Sequence, residues 1–596
     1  VTRGGPFRLP LPFEDPVRRS LLAPAGALVE WALGLSTLDA MYRRLPRDEG
    51  RPFWDRALDA LEIRVDAAID DDPPVPREGA LVVIANHPFG GVDGLVLASL
   101  LHRWRADVKI VANAFLGTIP DLRGLFVFVN PFGTSSATAS NGAGLRAALR
   151  WLRDGHVLAM FPAGEVSHVR SAAGLTVDPR WTPGLARIVR HAGAPVLPVH
   201  FEGDNSRLFR IAGRLHPRMR TVMLPRELLR RRGRPIAVRA GRAIPFSRLA
   251  AFESDEEMTA YLRVRTYALG GRATRGGSEA PRWPRGRAAA AVEAPESTEA
   301  LATEVERLPA AQRLGGAGDL EVLVGRADQV PGIVREIGRL RELTFRAAGE
   351  GTGLSTDLDR FDRHYWHLFL WDRVNRQIVG AYRIGATDEI VPRAGVAGLY
   401  TSTLFRYDRR LLDQIDPALE LGRAFVRAEH QREYSPLMLL WKGIGTFVSR
   451  RPRYRMLFGP VSISNEYRSL SRQLLASFLQ ATCPRSDLAA LIAPRHPAPF
   501  LRDSRTLEAL PATVVRSLAE VGTLLAEIEA DRKGVPVLLR QYLKLNARLL
   551  GFNLDPAFGG VLDGLMLVDL CEVDRDILVR YMGRTGAEVF LKQHER

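Results

Sequence analysis

Two constellations in this 596-residue chain have residue types suited to moving protons. In the first, His87 stands directly after an apolar run, Leu81-Val82-Val83-Ile84-Ala85, and Asp93 follows beyond Gly90-Gly91. An imidazole exchanges a proton near neutral pH, and a carboxylate can hold it in one tautomer. Such a pair can deprotonate a hydroxyl for attack on an acyl carbonyl. A turn, Phe161-Pro162-Ala163-Gly164-Glu165, follows another apolar run and adds Gly164 and Glu165 as candidate substrate-binding residues. In the second, Glu420-Leu421-Gly422-Arg423 sets a carboxylate that can serve as base beside a guanidinium that can pair with an anion. Arg383 and the acids Asp357, Asp359 and Asp362 precede it. The competing reading is a structural Glu-Arg ion pair beside a core strand, with the three aspartates on a solvated loop.

Positioning these groups requires a regular frame. Short apolar runs at 80–85, 108–112, 156–161 and 195–200 alternate with helical stretches at 144–153 and 182–192. That alternation predicts an α/β domain around a mainly parallel sheet, with reactive groups at the strand ends. A second, mixed α/β unit is expected from Asp319. It has a strand at 320–324, a helix at 329–347, a hairpin of 366–371 with 377–384, a helix at 536–550 and a strand at 561–570. Between them, 270–318 is rich in Gly, Arg, Pro and Ala. It reads as a flexible linker with a short helix near 300–308. The expected division is therefore 1–269, 270–318 and 319–596. Leu21 to Tyr42 reads as an amphipathic helix that either lies in a membrane interface or packs on its own domain.

Composition narrows the function classes. The formal charge is +16, with 46% hydrophobic and 25% charged residues. A folded protein with acidic partners is expected: anionic lipid headgroups, an acidic carrier protein or nucleic acid. The lack of aromatics interleaved in a basic stripe, and of a helix-turn-helix signal, argues against nucleic acid. Cys483 and Cys571 lie far apart and outside any ligand-spaced cluster, so neither a disulfide framework nor a metal site is expected. No secretory leader and no spanning helix are expected either.

The blocks around His87, at 161–165 and at Ala194-Pro195-Val196-Leu197-Pro198-Val199 come in an order that resembles the lysophosphatidic acid and glycerolipid acyltransferase family, over roughly 79–244. The resemblance implies that His87 is the general base and Asp93 its orienter. Three departures stand out. The His-to-Asp spacing is longer by one residue. The family's Phe-Pro-Glu-Gly-Thr-Arg has become Phe161-Pro162-Ala163-Gly164-Glu165-Val166. Asn130-Pro131 replaces an arginine common in the family. Arginine there suits an acceptor phosphate, so its loss argues for a phosphate-free acceptor. Glu165 then either meets an amine or caps the following turn.

The series from Arg339 through Gly380-Ala381-Tyr382-Arg383 to Glu420-Leu421-Gly422-Arg423 resembles acyl-homoserine-lactone synthases, relatives of the GNAT fold. With Leu440-Trp441-Lys442-Gly443, Gly459-Pro460-Val461-Ser462-Ile463-Ser464 and 538–545, it is closer to the 3-hydroxyacyl-carrier-protein N-acyltransferases of ornithine-lipid synthesis. The resemblance implies that Glu420 deprotonates an amino acid's amine, which then attacks a thioester. Arg423 or Arg383 would pair the acceptor carboxylate or orient Glu420, and the three aspartates would hold a second amine. After Val426 the chain lacks the glycines with which CoA-dependent relatives grip pyrophosphate, which favours a donor bound to acyl carrier protein over acyl-CoA. Arg432, Lys442, Arg450, Arg451, Arg453 and Arg455 would suit that acidic carrier.

The domain order resembles the bifunctional ornithine-lipid synthases. That resemblance implies N-acylation of an amino acid, ornithine in first place, then O-acylation of the lyso-lipid intermediate. Both steps would take place peripherally at the cytoplasmic face of an anionic inner membrane, with no resident cofactor or metal. The alternative is a lysophospholipid acyltransferase with an accessory GNAT-like domain.

Overall fold

The computed structural model describes residues 6–7, 27–46, 50–69, 75–113, 117, 119–129, 135–170, 176–270, 290–431, 433–483, 487–498, 517–529 and 531–595. The chain forms two compact units, whose main described segments run to Gly270 and from Ala290.

The first unit contains α1 (Leu35–Arg44), β1 (Val65–Ile69), β2 (Leu81–Ala85), α2 (Gly91–His102), β3 (Val108–Asn113), β4 (Phe126–Val129), α3 (Ser135–Arg153) and β5 (Val157–Met160). A small hairpin, β6 (Val169–Arg170) and β7 (Thr176–Val177), precedes α4 (Gly184–Ala192) and β8 (Val196–Phe201). Then come α5 (Arg207–Leu215), α6 (Pro217–Arg230), β9 (Ile236–Ala240) and α7 (Asp255–Gly270). The sheet order is β1-β9-β8-β2-β5-β3-β4, and every pairing is parallel except β8 with β9. β2, β5 and β8 are buried throughout, because helices cover both faces of a parallel sheet. That explains their unbroken Val, Ile and Leu runs, and it places the ends of β2 and β5 side by side.

The expected helix over Leu21 to Tyr42 is divided. Helical backbone at 27–32 ends at Gly34, which is left-handed (φ 76°), and α1 starts afresh at Leu35. Leu35 and Leu38 are buried, so this part packs on its own domain, whereas Leu28 and Trp31 are exposed. Residues 21–26, like Asn130-Pro131, lie outside the described residues.

The second unit starts earlier than the sequence suggests. Its elements are α8 (Thr298–Arg307), β10 (Arg313–Ala317), β11 (Leu320–Arg326), α9 (Pro331–Ala347), β12 (Trp366–Asp372), β13 (Gln377–Ala386), β14 (Phe405–Tyr407) and β15 (Ala418–Val426). They continue with α10 (Tyr434–Ser449), β16 (Met456–Ile463), β17 (Ile492–Pro494), α11 (Val537–Lys544), β18 (Arg548–Asp555) and β19 (Val561–Asp569). The main sheet, β10-β11-β12-β13-β15-β16-β19-β18, is antiparallel except for β15 with β16.

The expected linker over 270–318 is therefore corrected. Leu301, Val305 and Leu308 join the core with Ile333 and Ile337, and β10 pairs with β11. These apolar side chains need the rest of the unit to cover them, so 290–318 is part of it; residues 271–289 lie outside the described residues. Likewise the expected helix 536–550 stops at Lys544. Asn546 takes a left-handed φ of 55° and the chain enters β18.

Candidate active sites

The first site forms where β2 and β5 end. Asn86 fixes the end of β2 against β8: its amide donates to the Phe201 carbonyl (3.0 Å) and accepts from the Phe201 N–H (2.7 Å). His87 therefore leaves the sheet in a set direction. Its Nδ1 lies 2.9 Å from Asp93 Oδ2. Asp93 Oδ2 is also the acceptor for the Phe89 and Gly90 amides (2.9 and 3.1 Å), at the start of α2. The extra residue between His87 and Asp93 is thus absorbed by a turn through Gly90 (φ 90°), whose amide serves the same carboxylate. Asp93 is fully buried. Burial raises its pKa, and the His87 contact and the two amides oppose that rise.

Phe161 stacks on the His87 ring at 4.1 Å, which fixes the plane of the imidazole. With Nδ1 held against Asp93, Nε2 is the nitrogen left to take a substrate proton. Gly164 is left-handed (φ 68°) and closes the turn by donating to the Phe161 carbonyl (3.0 Å). Glu165 is exposed, 3.4 Å from Arg220, and so faces a cation of its own chain.

Sequence reasoning missed Asp178. It is buried, takes the His87 amide at 3.1 Å and the Trp181 indole at 2.9 Å, and accepts from the Ser167 hydroxyl. It secures the His87 backbone from a loop 91 residues away in sequence, and no local motif announces it.

The second site is a cavity between diverging strands. β15 and β16 pair only over Ala418–Glu420 with Met456–Phe458. Beyond that they separate, and Leu421 to Ala424 face Pro460 to Ser462 across the opening. Gly459 is required where they part, because a Cβ there would overlap the Leu421 carbonyl oxygen. Backbone polar groups that face a cavity in this way are available to a substrate carbonyl.

Arg423 lines the cavity. It has a left-handed φ of 51° beside the bulge between β13 and β15. Its guanidinium lies over Phe558 (4.3 Å) and Tyr400 (4.8 Å).

Glu420 is placed differently from expectation. It is buried, does not line the cavity, and is surrounded by donors. The Thr401 amide (2.6 Å) and hydroxyl reach one oxygen; the Tyr400 amide (3.1 Å) and Tyr365 hydroxyl reach the other. Nor does it form the simple Glu-Arg pair of the competing reading. It ties β15 to the 399–403 turn.

The three aspartates also depart from both readings. Asp362 takes both Arg341 nitrogens at 3.0 Å and Arg383 at 3.2 Å. Asp359 takes Arg383 at 2.7 Å, and Asp357 lies 3.3 Å from Arg341 and 3.5 Å from Arg423. They form a network of three acids with three arginines, buried except at Asp359, which is partly exposed. Their charge is spent on this chain, neither free for an amine nor loose in solvent. Burial alone would raise the Asp362 pKa; Arg341 and Arg383 outweigh it and hold it far below the carboxylate range.

Three other acids, unnoticed in the sequence, line the cavity: Glu350, Asp555 and Asp563. Asp563, on β19, is buried and accepts from the Ser462 hydroxyl at 2.7 Å. Burial pushes its pKa up to about 8 and that of Glu350 up to about 7; burial also raises Asp555. β19 carries two acids, Asp563 and Asp569, in an otherwise apolar strand, and nothing in the sequence singles out Asp563.

Of the expected carrier-facing cations, Lys442 is exposed, but others are engaged. Arg455 pairs with Asp569 (2.6 Å), Arg453 with Asp388 (2.9 Å), Arg450 donates to the Ala311 carbonyl (2.7 Å) and Arg451 lies over Phe447 (4.2 Å). Arg432 lies outside the described residues. Among the described residues no group of acids, histidines or cysteines is spaced to hold a metal ion, and no helix is long and apolar enough to cross a membrane.

Comparison with known proteins agrees with this division. Residues 72–275 match the family described as "Acyltransferase", and residues 340–442 match "Acetyltransferase (GNAT) domain". The chain is 31% identical to a "Glycine N(alpha)-acyltransferase" of Phocaeicola vulgatus, over 46% of this chain and 86% of that protein. It is 29% identical to the protein of that name from Bacteroides thetaiotaomicron, over 50% of this chain and 89% of that protein. It is 25% identical to a "Lyso-glycine lipid O-acyltransferase" of Phocaeicola vulgatus, over 37% of this chain and 78% of that protein. The chain therefore belongs to the GNAT-domain N-acyltransferases, is an acyltransferase enzyme, and carries a second acyltransferase domain ahead of its GNAT domain.

Proposed function

We propose that this chain makes a two-chain aminolipid in two steps. The C-terminal unit moves a 3-hydroxyacyl chain from a carrier-protein thioester to the amine of an amino acid. The N-terminal unit then esterifies the 3-hydroxyl with a second acyl chain. The observation that carries this reading is the coexistence of a His-Asp pair suited to a hydroxyl and an acid-lined strand opening suited to an amine. The names of the relatives divide the same two steps between separate proteins.

In the first step the amine must lose a proton, attack the thioester carbon and expel a thiolate. Asp563 is the acid we assign to receive that proton, since it lines the cavity where Glu420 does not. A carboxyl near pKa 8 is a stronger base than an ordinary one and matches an amine more closely. Arg423 pairs the acceptor's carboxylate. Cavity-facing amides of β15 receive the charge that grows on the thioester oxygen. In the second step His87 Nε2 takes the 3-hydroxyl proton while Asp93 stabilises the imidazolium. The oxygen attacks the second thioester, and the imidazolium returns its proton to the departing thiolate.

The amino acid is the finer question. Glu350, Asp555 and Asp563 outnumber Arg423 in the cavity, which favours a dibasic acceptor of the ornithine kind over glycine. An ammonium group entering the cavity would release protons from these acids and pair with them.

The test uses purified protein with 3-hydroxyacyl carrier protein and either ornithine or glycine, followed by a second acyl thioester. We expect an N-acyl product with a free 3-hydroxyl, faster with ornithine, then a diacyl product. Acylation of lysophospholipid without any N-acyl product would overturn the reading.

A further inference from the structure

We propose that the helical pair α5–α6 docks the N-terminal unit on an anionic lipid surface. The inner face of the pair is committed: Phe209 and Met223 are buried against Val166, just after the Phe161–Glu165 turn. Leu224 packs over Gly90, between His87 and Asp93 in sequence, where an added Cβ would meet it at 2.7 Å. The outer face carries four large apolar side chains left in solvent: Leu208 (48% exposed) and Ile211 (53%) on α5, Met219 (42%) and Val222 (41%) on α6. Each pair is spaced i, i+3, so it lies on one side of its helix. Scattered exposed apolar residues are ordinary, but these two pairs stand on helices that pack against each other.

The charge around these side chains selects the occupant. Residues 207–234 contain ten arginines and a single acid, Glu227. That acid is spent inside, accepting from the Ser206 amide at 2.9 Å ahead of α5. Arg207 and Arg226 are exposed on the two helices. Apolar side chains flanked by arginines suit a surface that is apolar inside and anionic outside, as a bilayer with acidic headgroups is. The exposed Leu28 and Trp31 precede Gly34, which abuts Leu229 of α6, so a second apolar segment adjoins the pair. Docking here would set the wall of the His87 site against the layer from which a lyso-lipid arrives.

This inference rests on the lipid-acylating reading, and its test separates the two. The full-length protein is sedimented with phosphatidylcholine vesicles, with and without about one-third phosphatidylglycerol, at low and high salt. Wild type should bind the anionic vesicles at least about tenfold more tightly, and salt should weaken the binding. Leu208→Gln/Ile211→Gln and Arg207→Gln/Arg226→Gln should each lower that affinity about tenfold or more. Thermal unfolding and N-acylation of soluble substrate should stay at the wild-type level, which sets misfolding aside. Equal binding of wild type to neutral and anionic vesicles, or undiminished binding by both folded variants, would overturn the proposal. Retained vesicle binding with no aminolipid product would instead count against the reading of function.

Discussion

Asp563 Oδ1 accepts the Ser462 hydroxyl at 2.7 Å, across the paired strands β16 and β19, and both residues line the cavity that Glu420 does not reach. This contact holds a buried carboxyl group in place at the cavity wall. The acid we assign as the N-acylating base therefore lies two strands away from the acid of the Glu-Leu-Gly-Arg motif.

Asp563→Asn should keep the fold and lower N-acylation about 10²-fold to 10⁴-fold, the usual contribution of a positioned base. Ser462→Ala should act more mildly. For wild type, ionisation of a carboxyl whose pKa burial raises to about 8 makes the rate climb with pH through the range of 7 to 8. Initial rates against pH, for wild type and Ser462→Ala, check the direction. A flat profile over that range would remove Asp563 from the chemistry.

Glu420→Gln should behave as a stability variant. One oxygen becomes an amide that faces donors, and a buried donor left unmatched costs about 1–3 kcal/mol. A lowered melting temperature is expected, with much of the activity of the remaining folded enzyme retained. Full loss of activity at an unchanged melting temperature would return Glu420 to the role of base.

Arg341→Met should destabilise the second unit by about 3–5 kcal/mol, because it leaves Asp362 with a buried charge short of its partner. The sign with pH is set by Asp362. Its folded pKa lies below the ordinary carboxylate value, so its contribution is present above about pH 4 and is lost as pH falls toward the folded value. Urea unfolding at neutral pH and at pH 3 should show wild type losing stability on acidification, with Arg341→Met losing less.

In the first unit, Asp178→Asn should move the His87 backbone rather than remove the base. O-acylation should fall less than with His87→Ala, which should abolish it, while N-acylation stays unchanged in both. Product ratios from a single reaction with both donors report the two steps at once.

The frame of the first unit was legible because its parallel strands are buried on both faces and read as unbroken apolar runs. His87 and Asp93 were legible because the strand end, the turn and the acid are contiguous. Asp178 was not, since it reaches His87 through a loop far along the chain. In the second unit the motif residues were visible, but their directions were not. Glu420 meets donors from Tyr365 and the 399–403 turn, which lie far from it in sequence and are marked by no local motif. Asp357, Asp359 and Asp362 looked available because Arg341 sits within a helix pattern that gives no hint of its partners. The segment 290–318 looked like a linker because its composition is poor in large apolar residues. Only the packing of Leu301, Val305 and Leu308 reveals their use.

The most direct test of the central claim is total-lipid mass spectrometry of a host without aminolipids, expressing wild type, His87→Ala or Asp563→Asn. We predict a two-chain aminolipid from wild type, a one-chain lyso form from His87→Ala and neither from Asp563→Asn. Wild type yielding no aminolipid, with only the phospholipid acyl chains altered, would contradict the account.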